Sequence, residues 1–169
     1  MDTGLAFIDR SRAYLTKDYL PKIRLAVEAL SADDIWWRSN DSSNSVGNLI
    51  LHLAGNVRQW VVSGIGMAPD LRQRQEEFDA REGFSGDELL AHLEGALEEV
   101  DGALSNLSGA ELDERRVIQG IDLSVLDALY HVVEHFSTHT GQIIYISKLR
   151  SGRDLGFWEV KDGKAVPKW

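Results

Sequence analysis

Apolar residues recur at helical spacing between Ser124 and Arg150, and the rest of the chain is organised around this stretch. Its apolar positions are separated mostly by three or four residues, as on one side of an α-helix. They are Leu126, Leu129, Val133, Phe136, Ile143 and Ile144. Ser124 opens a Ser-x-x-Asp pattern that is typical of a helix N-terminus, and the stretch contains no proline. We therefore predict a long helix with these apolar residues in the core.

Three upstream patterns predict three further helices. The first covers residues 4–30, where Pro21 either kinks the helix or marks a second helix that begins near Leu20. The second covers residues 45–63 and has a polar stripe beside its apolar stripe, which is typical of a helix that borders a cavity or groove. The third begins at Ser85 with a Ser-x-x-Glu capping-box pattern and repeats leucine with a seven-residue rhythm.

The segments outside these helices are polar or irregular. Residues 70–84 are rich in charge and predict a solvated loop or a short helix. Residues 108–123 predict a short strand or hairpin, and residues 151–169 form a tail without a clear period. Four main helices without a dividing linker indicate an all-α protein, an up-and-down four-helix bundle. We predict a single domain over residues 1–169, with the bundle at about 4–150.

Composition narrows the classes of partner. The chain has 169 residues, of which 43% are hydrophobic and 27% charged, as in an ordinary globular protein. Its net charge of −9 and the lack of a basic stripe argue against nucleic acid and anionic membranes as partners. The chain has no cysteine, which excludes disulfides, thiolate metal ligands and a cysteine nucleophile. We expect a cytoplasmic protein without a membrane-spanning segment.

Three of the five histidines lie at four-residue spacing on the last predicted helix, at positions 131, 135 and 139. Residues four apart are neighbours on a helix surface. His131 and His139 are about 12 Å apart along the helix axis, whereas a Zn–N bond is about 2.0–2.1 Å, so these two cannot share one ion. The usable pair is either His131 with His135 or His135 with His139, and another element must supply a third ligand.

The resulting metal hypothesis combines His52 of the second helix with His135 and His139. Three neutral imidazoles that leave coordination positions open describe a catalytic site for zinc or a similar metal such as nickel. Ordinary core or surface histidines remain the alternative. His92 is expected to be exposed. Further polar residues on the same stripes either contact the ligating imidazoles or serve capping and packing, and these are Asn48, Asn56 and Gln142.

Two motifs resemble a known family of helical bundles. Residues 44–60, NSVGNLILHLAGNVRQW, and residues 131–143, HVVEHFSTHTGQI, are similar to the DinB-like, or YfiT-like, four-helix bundle superfamily. The charged segment EEFDAREGFS and the helix after it also resemble a branch of uncharacterised bacterial proteins. The metal triad of that family falls on His52, His135 and His139. One departure is Thr140, which stands where the family most often has arginine after the last ligand.

The resemblance implies a bacterial protein, often a homodimer, that binds a divalent metal such as zinc or nickel. Some relatives are transferases or isomerases that use the low-molecular-weight thiols bacillithiol, mycothiol or glutathione. Our leading hypothesis is therefore a metal-dependent transferase that activates an external thiol for attack on a small electrophile. The alternatives are a metal-dependent hydrolase that uses the same three histidines, and a dimeric bundle that binds a metal or ligand without turnover.

Overall fold

The computed structural model describes residues 2–168, and most of them are helical. In chain order, the elements are α1 (Thr3–Ala13), a π-helical turn (Tyr14–Tyr19), α2 (Leu20–Glu28), α3 (Ala32–Ile35), α4 (Val46–Val57), a second π-helical turn (Arg58–Ile65), α5 (Arg74–Asp79), α6 (Gly86–Ser105), a 3-10 turn (Gly109–Asp113), β1 (Arg115–Ile118), β2 (Ile121–Ser124), α7 (Val125–Ser151), β3 (Trp158–Lys161) and β4 (Lys164–Pro167). The two π-helical turns continue α1 into α2 and extend α4, so four long helical runs dominate the fold.

Side-chain caps fix the starts of three of these runs. Ser45, Ser85 and Ser124 each accept a hydrogen bond from the backbone N–H three residues later, and the side chain of that later residue bonds back to the serine. These reciprocal bonds satisfy N–H groups that have no partner within the helix. At the other end of α7, Gly152 adopts a left-handed conformation with a φ of 64°, which favours glycine and ends the helix. The caps predicted at Ser85 and Ser124 are confirmed.

The first helical run passes through Pro21 without a break. The π-helical turn ends directly before Leu20, whose backbone N–H donates to the carbonyl of Leu15, five residues earlier. Proline has no N–H to donate and is tolerated in the first turn of a helix, which is its position in α2. Of the two expected outcomes, the structure is nearer the second, since α2 begins at Leu20, but the π-helical turn joins α2 to α1 without a gap.

The core lies between the long helices. α4 packs against α6 and α7, and α2 packs against α7. On α7, Leu129, Phe136 and Ile143 are fully buried, as the periodicity predicts. The predicted apolar stripe is wrong at Leu126, which is 40% exposed, because the buried side of α7 is rotated towards a different set of positions. That set includes Val125, Ala128, Val132, Thr140 and Ser147.

Two antiparallel hairpins accompany the helices. β1 pairs with β2 immediately before α7, which confirms the hairpin expected within residues 108–123. β3 pairs with β4 in the tail, where the sequence predicted no regular structure. In the tail hairpin, the turn residues Asp162 and Gly163 have φ values of 51° and 73°, as in a type I′ turn. The fold is therefore mostly helical rather than purely α. Within residues 2–168, no helix is long and apolar enough to cross a membrane.

Candidate metal centre

Three histidines from two helices converge on one point. α4 supplies His52, and α7 supplies His135 and His139, which are one helical turn apart. One ligand atom from each of these imidazoles lies within 4.8 Å of the others. The Nε2 atoms of His52 and His135 are 2.9 Å apart. The packing of α4 on α7 therefore brings together the three residues of the metal hypothesis.

The donor set fits a borderline divalent metal. Two nitrogens that each lie about 2.0–2.1 Å from a tetrahedral ion are separated by about 3.3 Å, which is close to the observed Nε2 separation. Three imidazoles satisfy three coordination positions and leave at least one for a small molecule. His131 does not belong to this group and instead packs on Trp60, with 4.1 Å between the ring centres. Of the two possible pairs on α7, the structure therefore joins His135 and His139 to His52.

Glu77 sets the orientation of the His52 ring. Its carboxylate lies 3.0 Å from the Nδ1 atom of His52, and both side chains are almost fully buried. A carboxylate only accepts hydrogen bonds, so the tautomer of His52 that bonds to Glu77 carries its proton on Nδ1, and a terminal nitrogen of Arg72 also lies 3.0 Å from this atom. In this tautomer the lone pair of the imidazole lies on Nε2, which is the atom that faces His135. A carboxylate on the far nitrogen of a ligand histidine is the usual arrangement at protein metal sites.

Arg72 holds the Glu77 carboxylate in place. Its Nε donates to one carboxylate oxygen and one of its terminal nitrogens to the other, both at 2.7 Å. The Arg72 side chain is only 3% exposed, and its remaining terminal nitrogen donates to the side-chain carbonyl of Gln59. Burial alone would raise the pKa of the Glu77 carboxyl, but the bonds from Arg72 and His52 outweigh burial and hold that pKa below its usual range. Glu77 is therefore ionised, and its carboxylate is hydrogen-bonded to Arg72 and His52.

The backbone around Glu77 is fastened to α4. The side-chain amide of Asn48 donates to the backbone carbonyls of Glu77 and Ala80, at 2.9 and 2.8 Å. Gly55 gives the ion pair its space, because a Cβ at this position would lie 2.0 Å from the Oε1 atom of Glu77. Asn48 thus acts one step further from the histidines than the sequence suggested, since it positions the segment that bears Glu77.

Gln142 contacts His139. Its Oε1 atom lies 2.6 Å from the Nδ1 atom of His139, so Nδ1–H donates and the lone pair of His139 lies on Nε2. Gln142 therefore makes one of the contacts that the sequence left open. Asn56 makes no such contact, because its buried Oδ1 atom has no hydrogen-bond partner among the described residues.

Burial keeps the histidines of α7 uncharged. Burial, followed by the neighbouring imidazoles of His139 and His52, lowers the pKa of His135 to about 3. Burial also lowers the pKa of His139, although the bond to Gln142 partly opposes it. Neutral imidazole is the form that binds metal. These two residues are therefore in the metal-binding form at neutral pH without a prior loss of protons.

Arg72 and Glu77 are residues of the site that the sequence did not indicate. Of the two predictions for residues 70–84, a solvated loop or a short helix, the structure has the short helix α5, but Glu77 on this helix is buried, with 9% exposure. Both residues belong to a run of charges in which neither has a distinctive spacing. The available signal was the resemblance of the segment EEFDAREGFS, which contains Glu77 but not Arg72. His92 is exposed, as expected.

Comparisons with known proteins place the chain in a family without assigning it an activity. No curated protein matches the chain. A family model described as "Protein of unknown function (DUF1572)" matches residues 2–164, which is nearly the whole chain. On this match, the chain belongs to the DUF1572 family.

Proposed function

We propose that this protein is a DinB-like four-helix-bundle metalloprotein that activates a low-molecular-weight thiol for attack on a small electrophile. The observation that carries the proposal is the convergence of His52, His135 and His139, with ligand atoms within 4.8 Å of one another. The four long helical runs support the DinB-like bundle. Zinc and nickel are among the metals that suit three imidazoles with an open position, and we propose one of these two.

The residues of the chain hold and orient the site. His52 and His139 present Nε2 because Glu77 and Gln142 accept the proton of the other ring nitrogen. When bound, a divalent ion supplies Lewis acidity that lowers the pKa of a coordinating thiol. In the proposed transfer, the thiol sulfur bonds to an electrophilic carbon, the leaving group departs with the bonding electron pair, and the thiol proton passes to solvent.

The chain's own residues favour an external thiol over water as the nucleophile. Hydrolysis at a metal site commonly uses a carboxylate or histidine that removes a proton from water. Glu77, the carboxylate that contacts the triad, is bound on both oxygens by Arg72 and lies on the Nδ1 side of His52. The neighbouring histidine outside the triad, His131, packs on the Trp60 ring. Because the chain has no cysteine, the thiol must come from outside. We therefore rank thiol transfer above hydrolysis and above binding without turnover.

Metal content of the purified, untagged protein is the first test. We expect near-stoichiometric zinc or nickel by elemental mass spectrometry in the wild type and a loss of metal in the His135→Ala variant. The His131→Ala variant is the matched control, because His131 lies on the same helix one turn earlier but outside the triad. Equal metal content in all three proteins, or no metal after reconstitution, would contradict the proposed site.

Turnover then separates the candidate functions. The metal-loaded protein is incubated with small electrophiles in the presence and absence of glutathione, bacillithiol and mycothiol. Product formation that requires a thiol supports the transferase, and product formation without a thiol supports the hydrolase. Metal binding without turnover across the panel supports a binding protein.

A homodimer and a cytoplasmic location complete the proposal. Four large apolar side chains lie exposed along α7, where a second copy of the chain can cover them, and they are Leu126, Tyr130, Tyr145 and Leu149. Light scattering coupled to size-exclusion chromatography measures the mass directly. A monomeric mass at micromolar concentration would contradict the dimer.

A further inference from the structure

We propose that Arg74 and Phe78 form a recognition patch for a carboxylate group on the small molecule that enters the histidine site. The inference deepens the proposed function and rests on it, since it names the charge class of the ligand. It concerns residues on α5 that are not among the three histidines or their hydrogen-bonding partners.

Phe78 and Arg74 extend outward from the triad. The Phe78 ring packs against the His52 ring with 4.8 Å between the ring centres. The guanidinium group of Arg74 lies over the Phe78 ring, 4.8 Å from the ring centre. Residues 74 and 78 are one helical turn apart, so they share a face of α5. The Arg74 cation thus contacts Phe78, and Phe78 in turn contacts His52, a proposed metal ligand.

The charge of Arg74 is not used within the protein. Arg74 is exposed, and it forms no salt bridge with any residue between positions 2 and 168. Arg72 differs, because its buried guanidinium is neutralised by Glu77. A guanidinium that lies on an aromatic ring keeps its N–H groups available at the edge for a carboxylate. Arg74 is therefore a cation that lies against an aromatic ring and has no acidic partner among residues 2–168.

The charge of its surroundings makes the Arg74 cation suitable for selecting anions. The whole chain carries a net charge of −9, which repels anions from most of its surface. The three candidate ligands are imidazoles, which bring no negative charge to a divalent ion. The ion and Arg74 together create a local positive region within an acidic protein. Such a region selects small anions over neutral molecules of the same size.

The test compares two thiols that differ in charge. Calorimetric titrations measure the affinity of the zinc-loaded protein for 3-mercaptopropionate, for 2-mercaptoethanol and for propionate. In the Arg74→Gln variant, we expect the preference for 3-mercaptopropionate over 2-mercaptoethanol to fall by about fivefold, as for an exposed ion pair. Affinity for 2-mercaptoethanol should not change. Because the same two thiols are used throughout, their intrinsic differences cancel.

Arg10→Gln is the matched control. Arg10 also places an exposed guanidinium over an aromatic ring, that of Tyr14, but it lies on α1. An unchanged preference in Arg74→Gln, or an equal loss in Arg10→Gln, would overturn the inference while thiol binding stands. If neither thiol binds the wild-type protein, thiol use is refuted, and the affinity for propionate then tests the carboxylate patch on its own. Propionate binding that depends on Arg74 then supports the patch, and binding that is absent or independent of Arg74 overturns it.

Discussion

Replacement of Glu77 by glutamine tests whether the buried ion pair supports the metal centre. Glutamine keeps the shape of the side chain but removes its charge, which leaves the Arg72 guanidinium buried without a counter-ion. The Arg72 side chain is 3% exposed and the Glu77 side chain 10% exposed. Removal of one partner from a buried ion pair typically costs about 3–5 kcal/mol of the free energy of unfolding. We expect a loss of this size in the metal-free protein.

The same substitution should weaken metal binding. Loss of a group that orients a ligand histidine typically lowers metal affinity by about 10–100-fold. Urea denaturation of the metal-free protein measures the first effect, and competition with a chromophoric chelator measures the second. The double variant Arg72→Gln/Glu77→Gln removes both charges, so it should be more stable than Glu77→Gln alone.

Gly55→Ala perturbs the same pair without changing a charge. The added methyl group would lie 2.0 Å from the Oε1 atom of Glu77 and 3.0 Å from the Nε atom of Arg72, so the carboxylate must move. We expect weaker metal binding, as for Glu77→Gln. Gly102→Ala on α6 is the control, because its Cβ meets no atom within 4 Å. If Glu77→Gln and Gly55→Ala both bind metal as tightly as Gly102→Ala, the ion pair does not position His52 and our reasoning fails.

Two further predictions concern stability. His135 has a pKa of about 3 in the folded metal-free protein and 6.5 in an unfolded chain, so between these values the unfolded state binds more protons and folding weakens as the pH falls. Urea denaturation should show full stability from this group above pH 6.5 and a loss towards pH 3, and a His135→Gln variant should lose less over this range. Phe136 is fully buried, so Phe136→Ala should cost about 3–5 kcal/mol by the same assay. A cost below about 1 kcal/mol would contradict the packing of α7, since exposed positions typically fall in that range.

Local signals in the sequence determined where the helices begin and how the histidines of α7 are spaced. Capping at Ser85 and Ser124 depends on groups three residues apart, so it can be predicted from the sequence without knowledge of the fold. The geometry of a single helix likewise excludes His131 and His139 from sharing one ion. The choice of His52 as the third residue followed from the polar stripe on its own helix, and the packing of α4 on α7 agrees with it.

Only the tertiary structure decided which polar residues are buried. Thr140 and Ser147 lie on the buried face of α7, whereas Leu126 is exposed. The face that a helix buries depends on the neighbours packed against it. Glu77 and Arg72 look like their charged neighbours in the sequence. They are buried because Asn48 holds their segment on α4 and Gly55 leaves room for the carboxylate beside His52. Charge burial depends on a partner distant in the chain, and periodicity within a single segment carries no information about such a partner.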